Sequence, residues 1–436
     1  MNETILINKH IKFANNWKTI SPLFIEVFCL FVLISSFVLN SNIGVLISII
    51  SIFFVSLFSR REQSIYHLAF FSSFSGIMVF EGKHVFFILA GLIILKEFLL
   101  GRINHVTAFF YALLITYGVL FCDFEGNFTF AKILAPTLLF LIPIILQNKR
   151  MDFAVLAKYY IFGFAIETAL GFIVMKIPMM SSLFDVDLIW PNPYLELYRF
   201  FGLSYDSNFY ALSNFIVIGY LLFCSKNIKA KTILLIALFL FAGILTFSKS
   251  YFLVIIFLFV IYFIKSLRSF TKTIILSLSL FVLIAIYAFV SRRIGFNPIE
   301  MILLRFGSFD SLGEVTTGRS DIWYNYIQIF IDNPYKFIFG HGYNSTVIRA
   351  AHNTFIEFLY LFGIIGTGIW ICFFIHCFKL YKSNCYKYVP RSTMIVMISF
   401  LLGTFFLSAY TYESFWIGIV MSIIPLRINH GVKTND

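Results

Sequence analysis

Four residues with the chemistry to act on a charged substrate lie in polar stretches of an otherwise apolar chain: Arg199, Lys249, Arg319 and His352. His352 stands in Ala351-His352-Asn353-Thr354, where a long polar interval meets an apolar run, with Glu357 one and a half turns further along. Histidine titrates near neutral pH and accepts or relays a proton. The plainer reading is that His352-Asn353 caps a helix. Arg319 lies in Thr317-Gly318-Arg319-Ser320-Asp321-Ile322-Trp323, and Arg199 in Tyr198-Arg199-Phe200-Phe201-Gly202. A guanidinium keeps its charge and binds phosphate with a planar fork. Two of them, each beside glycine and aromatics, suit a pyrophosphate at a membrane surface. Headgroup contact or loop salt bridges would account for either one alone. Lys249 and the pair Arg292-Arg293 add to the same positive basin.

Other polar groups carry less. Asp185-Val186-Asp187 has the form of the pair that holds a divalent ion in nucleotide-sugar transferases, but three residues are a short signal. Glu81, Asp123 and Glu125 on short turns read as solvated. Lys96, Lys158 and Glu167 fall inside apolar runs and need a partner, a cavity or the interface. Lys96 and Lys158 lie towards run ends, where Lys96 can snorkel. Glu167 is deeper, and a structural pair and a site role both fit it. None of the six cysteines forms a C-x-x-C pair, so neither a disulfide framework nor a metal site is expected.

The elements that must position these groups are membrane spans. The chain is 60% hydrophobic and 12% charged with a mean hydropathy of +0.90, where soluble domains run nearer 25% charged. Apolar runs recur without strict alternation, which argues against an outer-membrane barrel. They predict an all-α polytopic protein, residues 1–436 forming a single membrane domain of about 14 transmembrane helices. The spans are expected at 21–39, 42–58, 64–80, 84–100, 104–122, 130–147, 153–175, 208–224, 231–247, 250–265, 272–290, 353–378, 392–409 and 413–426. The net charge of +12 raises nucleic acid as a partner, but in so apolar a chain the placement of the charges decides. Alternate connections are basic: Arg60-Arg61, Arg102, Lys149-Arg150, Lys226 to Lys231, Lys265 to Lys272, and Lys379 to Arg391. Short basic loops stay cytoplasmic. Both termini are therefore expected inside, with the two long loops, 176–207 and 291–352, on the outer face.

Those loops differ in character. The first is broken by Pro178, Pro191, Pro193 and Gly202. The second places Ile322, Trp323, Tyr326, Ile327 and Phe330 at helical spacing, which predicts a helix lying on the membrane surface or under a cap. Only Ser248-Lys249-Ser250 separates the runs 231–247 and 250–265, which predicts a two-helix hairpin with a basic tip.

The order of these motifs resembles the O-antigen polymerase and O-antigen ligase superfamily. Arginine-aromatic-x-glycine comes first, then Thr246-Phe247-Ser248-Lys249-Ser250, then Thr-Gly-Arg-Ser-x-x-Trp. Asn-Pro and Phe-Gly-His-Gly-Tyr follow, and then His-Asn-Thr-Phe-x-Glu ahead of a glycine-dotted span. The similarity covers roughly residues 195–370. It implies a fold similar to the C-type membrane glycosyltransferases, with a periplasmic site at the bacterial inner membrane. The implied donor is an oligosaccharide on undecaprenyl pyrophosphate, used without cofactor or required metal. The family's loop arginines match Arg199 and Arg319, and its boundary histidine matches His352. Lys249 stands where the family commonly has arginine, keeping the charge but not the fork. Arg199, Arg319 and His352 are thus the expected catalytic groups. Lys249, Asn353, Glu357, Tyr205, Asn208 and Trp323 are the expected substrate contacts.

A direct displacement on the anomeric carbon would invert it, and no paired carboxylate nucleophile is evident. The composition, rich in Phe, Ile and Tyr, looks like the divergent polymerases, which join one lipid-linked repeat unit to another. A ligase would instead transfer the glycan to lipid A–core. A flippase for the same lipid would line a path through the spans with charge, whereas here polar groups gather on one face. A chain-length regulator and a repeat-unit flippase are the expected protein partners, with membrane lipid and no nucleic acid.

Overall fold

The computed structural model describes residues 26–36, 39, 41–80, 83–121, 136–148, 151–176, 199–204, 206–223, 230–266, 318–343, 351–384, 391–407 and 415–423. They are helical apart from short connections and one antiparallel hairpin pairing Val79–Phe80 with Lys83–His84. The helices are α1 (Glu26–Ser36), α2 (Asn42–Phe58), α3 (Arg61–Phe71), α4 (Val85–Leu99), α5 (His105–Leu120) and α6 (Leu141–Gln147). Then come α7 (Phe153–Lys176), α8 (Ser207–Phe223), α9 (Ala230–Ile244) and α10 (Lys249–Ser266). After these lie α11 (Arg319–Asp332), α12 (Pro334–Phe339), α13 (Thr354–Asn384), α14 (Arg391–Phe405) and α15 (Phe415–Ile423).

Phe153–Val174 and Thr354–Tyr381 are long and apolar enough to cross a membrane, and shorter apolar helices such as Asn42–Phe58 accompany them. Their outward faces carry Phe31, Ile43, Phe54, Phe109, Ile256 and Ile371, each more than half exposed. Rows of such side chains are unstable against water but match a hydrocarbon solvent. The inner faces pack aromatic on aromatic, with Trp370, Trp416, Tyr160, Tyr210 and Tyr251 fully buried. These are the properties of a membrane protein.

Every expected span carries helix except 272–290, which lies outside the described residues, as does most of both long loops. Three spans depart from a plain α-helix. The run 64–80 is α3 followed by a 3-10 stretch, Ser72–Ile77, and the first hairpin strand. There the Ser72 hydroxyl turns back to the Ala69 carbonyl at 2.7 Å, the competition with the backbone that makes serine a weak helix interior. In the run 130–147 the described residues turn from α-helix at 136–137 to 3-10 (Leu138–Phe140) before α6, with Pro136 and Pro143 in the stretch. The helix α13 breaks at Gly363 (φ 60°, ψ −170°). Gly340 packs into that break so closely that a Cβ on either glycine would strike the other's backbone.

One end of the helices holds a cluster of paired charges. Arg61 and Arg102 meet the buried carboxylate of Glu97 at 2.6 Å and 3.2 Å, and Lys96 donates to the Ser59 carbonyl at 3.0 Å. The opposite end of α5 receives the second long loop, where Tyr117 donates to the Phe339 carbonyl (2.9 Å) and the Tyr343 amide to that of Gly118 (3.1 Å).

Candidate active site

Arg199 is held by the tip of the predicted hairpin. Its Nε donates to the Thr246 carbonyl at 2.7 Å and its Nη2 to Asn208 Oδ1 at 3.2 Å, while the Phe200 amide donates to the Leu245 carbonyl at 2.9 Å. The tip is tight enough to drive Phe247 to φ +48°, and the Thr246 hydroxyl secures it by donating to the Gly243 carbonyl at 2.6 Å. The loop after Arg199 is anchored from inside the bundle by Glu167, whose Oε1 accepts from the Leu203 amide (3.3 Å) and the Ser204 hydroxyl (3.0 Å). A Cβ on Gly202, at φ +63°, would run into that carboxylate and the Tyr210 ring, so the turn needs glycine. Glu167 is thus a structural anchor for the arginine loop.

Lys249 and Arg319 are each the first residue of a helix, α10 and α11. Gly318 in the left-handed region (φ +75°) reverses the chain before Arg319. A cation at a helix N-terminus opposes the dipole, but together they make a strongly anion-attracting end.

His352 follows a buried peptide gripped from both sides. The Ala351 amide donates to Glu357 Oε1 at 2.9 Å, and Trp323 Nε1 donates to the Ala351 carbonyl at 2.8 Å. Asn353 Oδ1 accepts from the amides of Phe355 (2.9 Å) and Ile356 (3.1 Å), capping α13. His352 lies between them at φ +49° and is half-buried. The left-handed region costs an L-residue roughly 1–2 kcal/mol and persists where its surroundings over-determine it.

The two clusters share one end of the bundle. Helices α8 and α14 run antiparallel, since the Phe215 ring fills the place of a Cβ on Gly403 while Gly219 faces Val396. The start of α8, next to Arg199, therefore lies at the same end as residues 403–407. There the Thr354 hydroxyl donates to the Leu407 carbonyl at 2.6 Å and the Trp323 ring meets Phe405 edge-on at 5.7 Å. Helix α11 is pinned above by Tyr326 and Phe330 against Tyr360, on which His341 stacks at 4.0 Å. An apolar groove of about 570 Å³ begins at Thr354 and follows α13 past Phe358, Trp370 and Phe374, with Met397 and Phe400 opposite.

Of the expected substrate contacts, Tyr205 lies outside the described residues, as does Asp185-Val186-Asp187. Asn208, Trp323, Asn353 and Glu357 direct the polar atoms named above to protein partners. Reading side chains alone missed the Ala351 clamp, because alanine carries no polar signal, and the break at Gly363.

Residues 234–371 match the family model described as O-antigen ligase. That stretch contains Lys249, Arg319, Trp323 and His352 but not Arg199. No curated protein and no solved structure matches the chain.

Proposed function

We propose, from the place of residues 234–371 in the O-antigen ligase and polymerase superfamily, that this chain is a surface-polysaccharide polymerase. It joins undecaprenyl-pyrophosphate-linked repeat units at the periplasmic face of the bacterial inner membrane. The observation that carries the reading is the gathering of Arg199, Lys249 and His352 with the Trp323 face of Arg319's helix at one end of the bundle. Helices α8, α10 and α13 also begin there.

In this mechanism Arg199 and Arg319 hold the donor diphosphate, assisted by Lys249 and the helix N-termini. A hydroxyl of the acceptor sugar attacks the anomeric carbon of the donor glycan. The new carbon–oxygen bond forms as the bond to the diphosphate breaks, and the anomeric centre inverts. Undecaprenyl pyrophosphate leaves, its developing charge met by the guanidinium groups. His352 takes the hydroxyl proton. No metal is needed, because the cationic side chains supply the charge stabilisation. The first isoprene units of the carrier lie in the groove along α13, whose volume is of the order of a drug-sized ligand site, about 300–1,000 Å³.

The family description names a ligase; that reaction would use the same donor and differ in acceptor. A surface-polysaccharide gel of a deletion strain separates the two. A single repeat on lipid A–core supports the polymerase. Bare core with polymer accumulating on the carrier assigns the ligase, and an unchanged ladder removes both.

A further inference from the structure

We infer that Trp323 and Glu357 are positioning residues for His352, gripping the Ala351 peptide and so fixing the left-handed backbone from which the imidazole projects. This rests on the reading of His352 as proton acceptor.

Three observations converge. The residue before His352 is fully buried and has both of its backbone polar groups taken, the amide by Glu357 Oε1 and the carbonyl by Trp323 Nε1. The residue after it is locked as the cap of α13. His352 between them is one of only two non-glycine residues at positive φ among the described residues. A free Ala-His-Asn segment would relax to ordinary negative φ, swinging the ring away. Holding it needs restraints on both sides, and the grip on Ala351 supplies the one that the Asn353 cap does not.

The grip also ties the two halves of the site together. Trp323 is four residues from Arg319, so both lie on the same face of α11. Glu357 lies on the first turn of α13, beyond His352. The proton acceptor is thereby registered against the helix that carries a phosphate-binding arginine. Glu357 is 7% exposed and one carboxylate oxygen already accepts a backbone N–H, which fits a strut better than a sugar ligand.

The test uses the full-length purified protein in nanodiscs with a lipid-linked repeat unit. Glu357→Ala and Trp323→Phe are expected to lower kcat by on the order of 10- to 100-fold, the scale of misplacing a reacting group. KM for the donor should stay within about twofold, because no substrate contact is lost. Glu357→Gln keeps an oxygen that accepts the Ala351 amide and should restore most of kcat. Added to His352→Ala, Glu357→Ala should cost nothing further. Hydrogen exchange at the Ala351 amide should accelerate in Glu357→Ala and not in Glu357→Gln. A Gln variant as inactive as the Ala variant would overturn the inference in favour of a role for the charge itself. A rise in KM at unchanged kcat would overturn it in favour of substrate contact. Full activity of Glu357→Ala and Trp323→Phe beside an inactive His352→Ala removes the grip but leaves His352 in the mechanism. A fully active His352→Ala removes that reading, and the inference with it.

Discussion

The two ends of this helical bundle hold their cations differently. At one end Arg61 and Arg102 share the buried carboxylate of Glu97, so positive charge is partly offset where it is placed. At the other, Arg199 donates to a backbone carbonyl and to an asparagine oxygen. Both of these acceptors are neutral, and they set the direction of the guanidinium. Lys249 and Arg319 sit at helix N-termini, which adds to the positive potential there. The first arrangement builds structure, and the second suits receiving an anion. The backbone tells the same story: both non-glycine residues at positive φ among the described residues, Phe247 and His352, belong to the second end. Strain of this kind persists where the surrounding structure over-determines it, and it clusters at functional sites.

That contrast can be broken or sharpened by substitution. The largest effect is expected at His352. His352→Ala should abolish chain extension, a loss on the order of 10²–10⁴-fold for a general base, with membrane insertion and yield unchanged. Normal polymer from this variant would take His352 out of the chemistry. Next come Arg199→Ala and Arg319→Ala, expected to lower donor turnover on the order of 10²–10³-fold, with Lys variants recovering part of it. Equal activity of the Ala and Lys variants would contradict a two-pronged phosphate contact. At the opposite end the loss should appear in stability. Arg61→Ala leaves Glu97 buried with a single, more exposed partner and should cost up to about 3–5 kcal/mol. Arg102→Ala, whose side chain is 42% exposed, should cost about 1 kcal/mol or less. Both should keep the turnover of the folded fraction, and a turnover defect in either would erase the distinction between the ends.

Much of this arrangement was legible in the residues alone. The hairpin tip was visible because Ser248-Lys249-Ser250 separates two apolar runs, and α11 because its apolar residues repeat at helical spacing. The alternating basic connections separated the Arg61–Arg102 end from the end that gathers Arg199 and His352. What was not legible depends on pairs of distant backbone groups. The break at Gly363 reads as a tolerated glycine in an apolar run until Gly340 is seen packed into it. Glu167 could be flagged as buried, but its partners are an amide and a hydroxyl 36 and 37 residues further along. The run 64–80 was expected as a plain span, and its switch to 3-10 geometry at the serines 72, 73 and 75 was not foreseen. Trp323, Asn353 and Glu357 were expected as substrate contacts. Their named atoms hold backbone, because the segment 351–353 has few regular hydrogen bonds of its own and must be satisfied from outside.

The central claim is that cations from separate segments bind a diphosphate while His352 waits on the acceptor. It is tested most directly by the affinity of purified protein for undecaprenyl pyrophosphate without a glycan. The account predicts that Arg199→Ala and Arg319→Ala each weaken binding by at least about tenfold, the scale of one lost charge-assisted contact, that undecaprenyl monophosphate binds more weakly, and that His352→Ala binds as tightly as the wild type. Equal binding of the two lipids, with both arginine variants unimpaired, would contradict it.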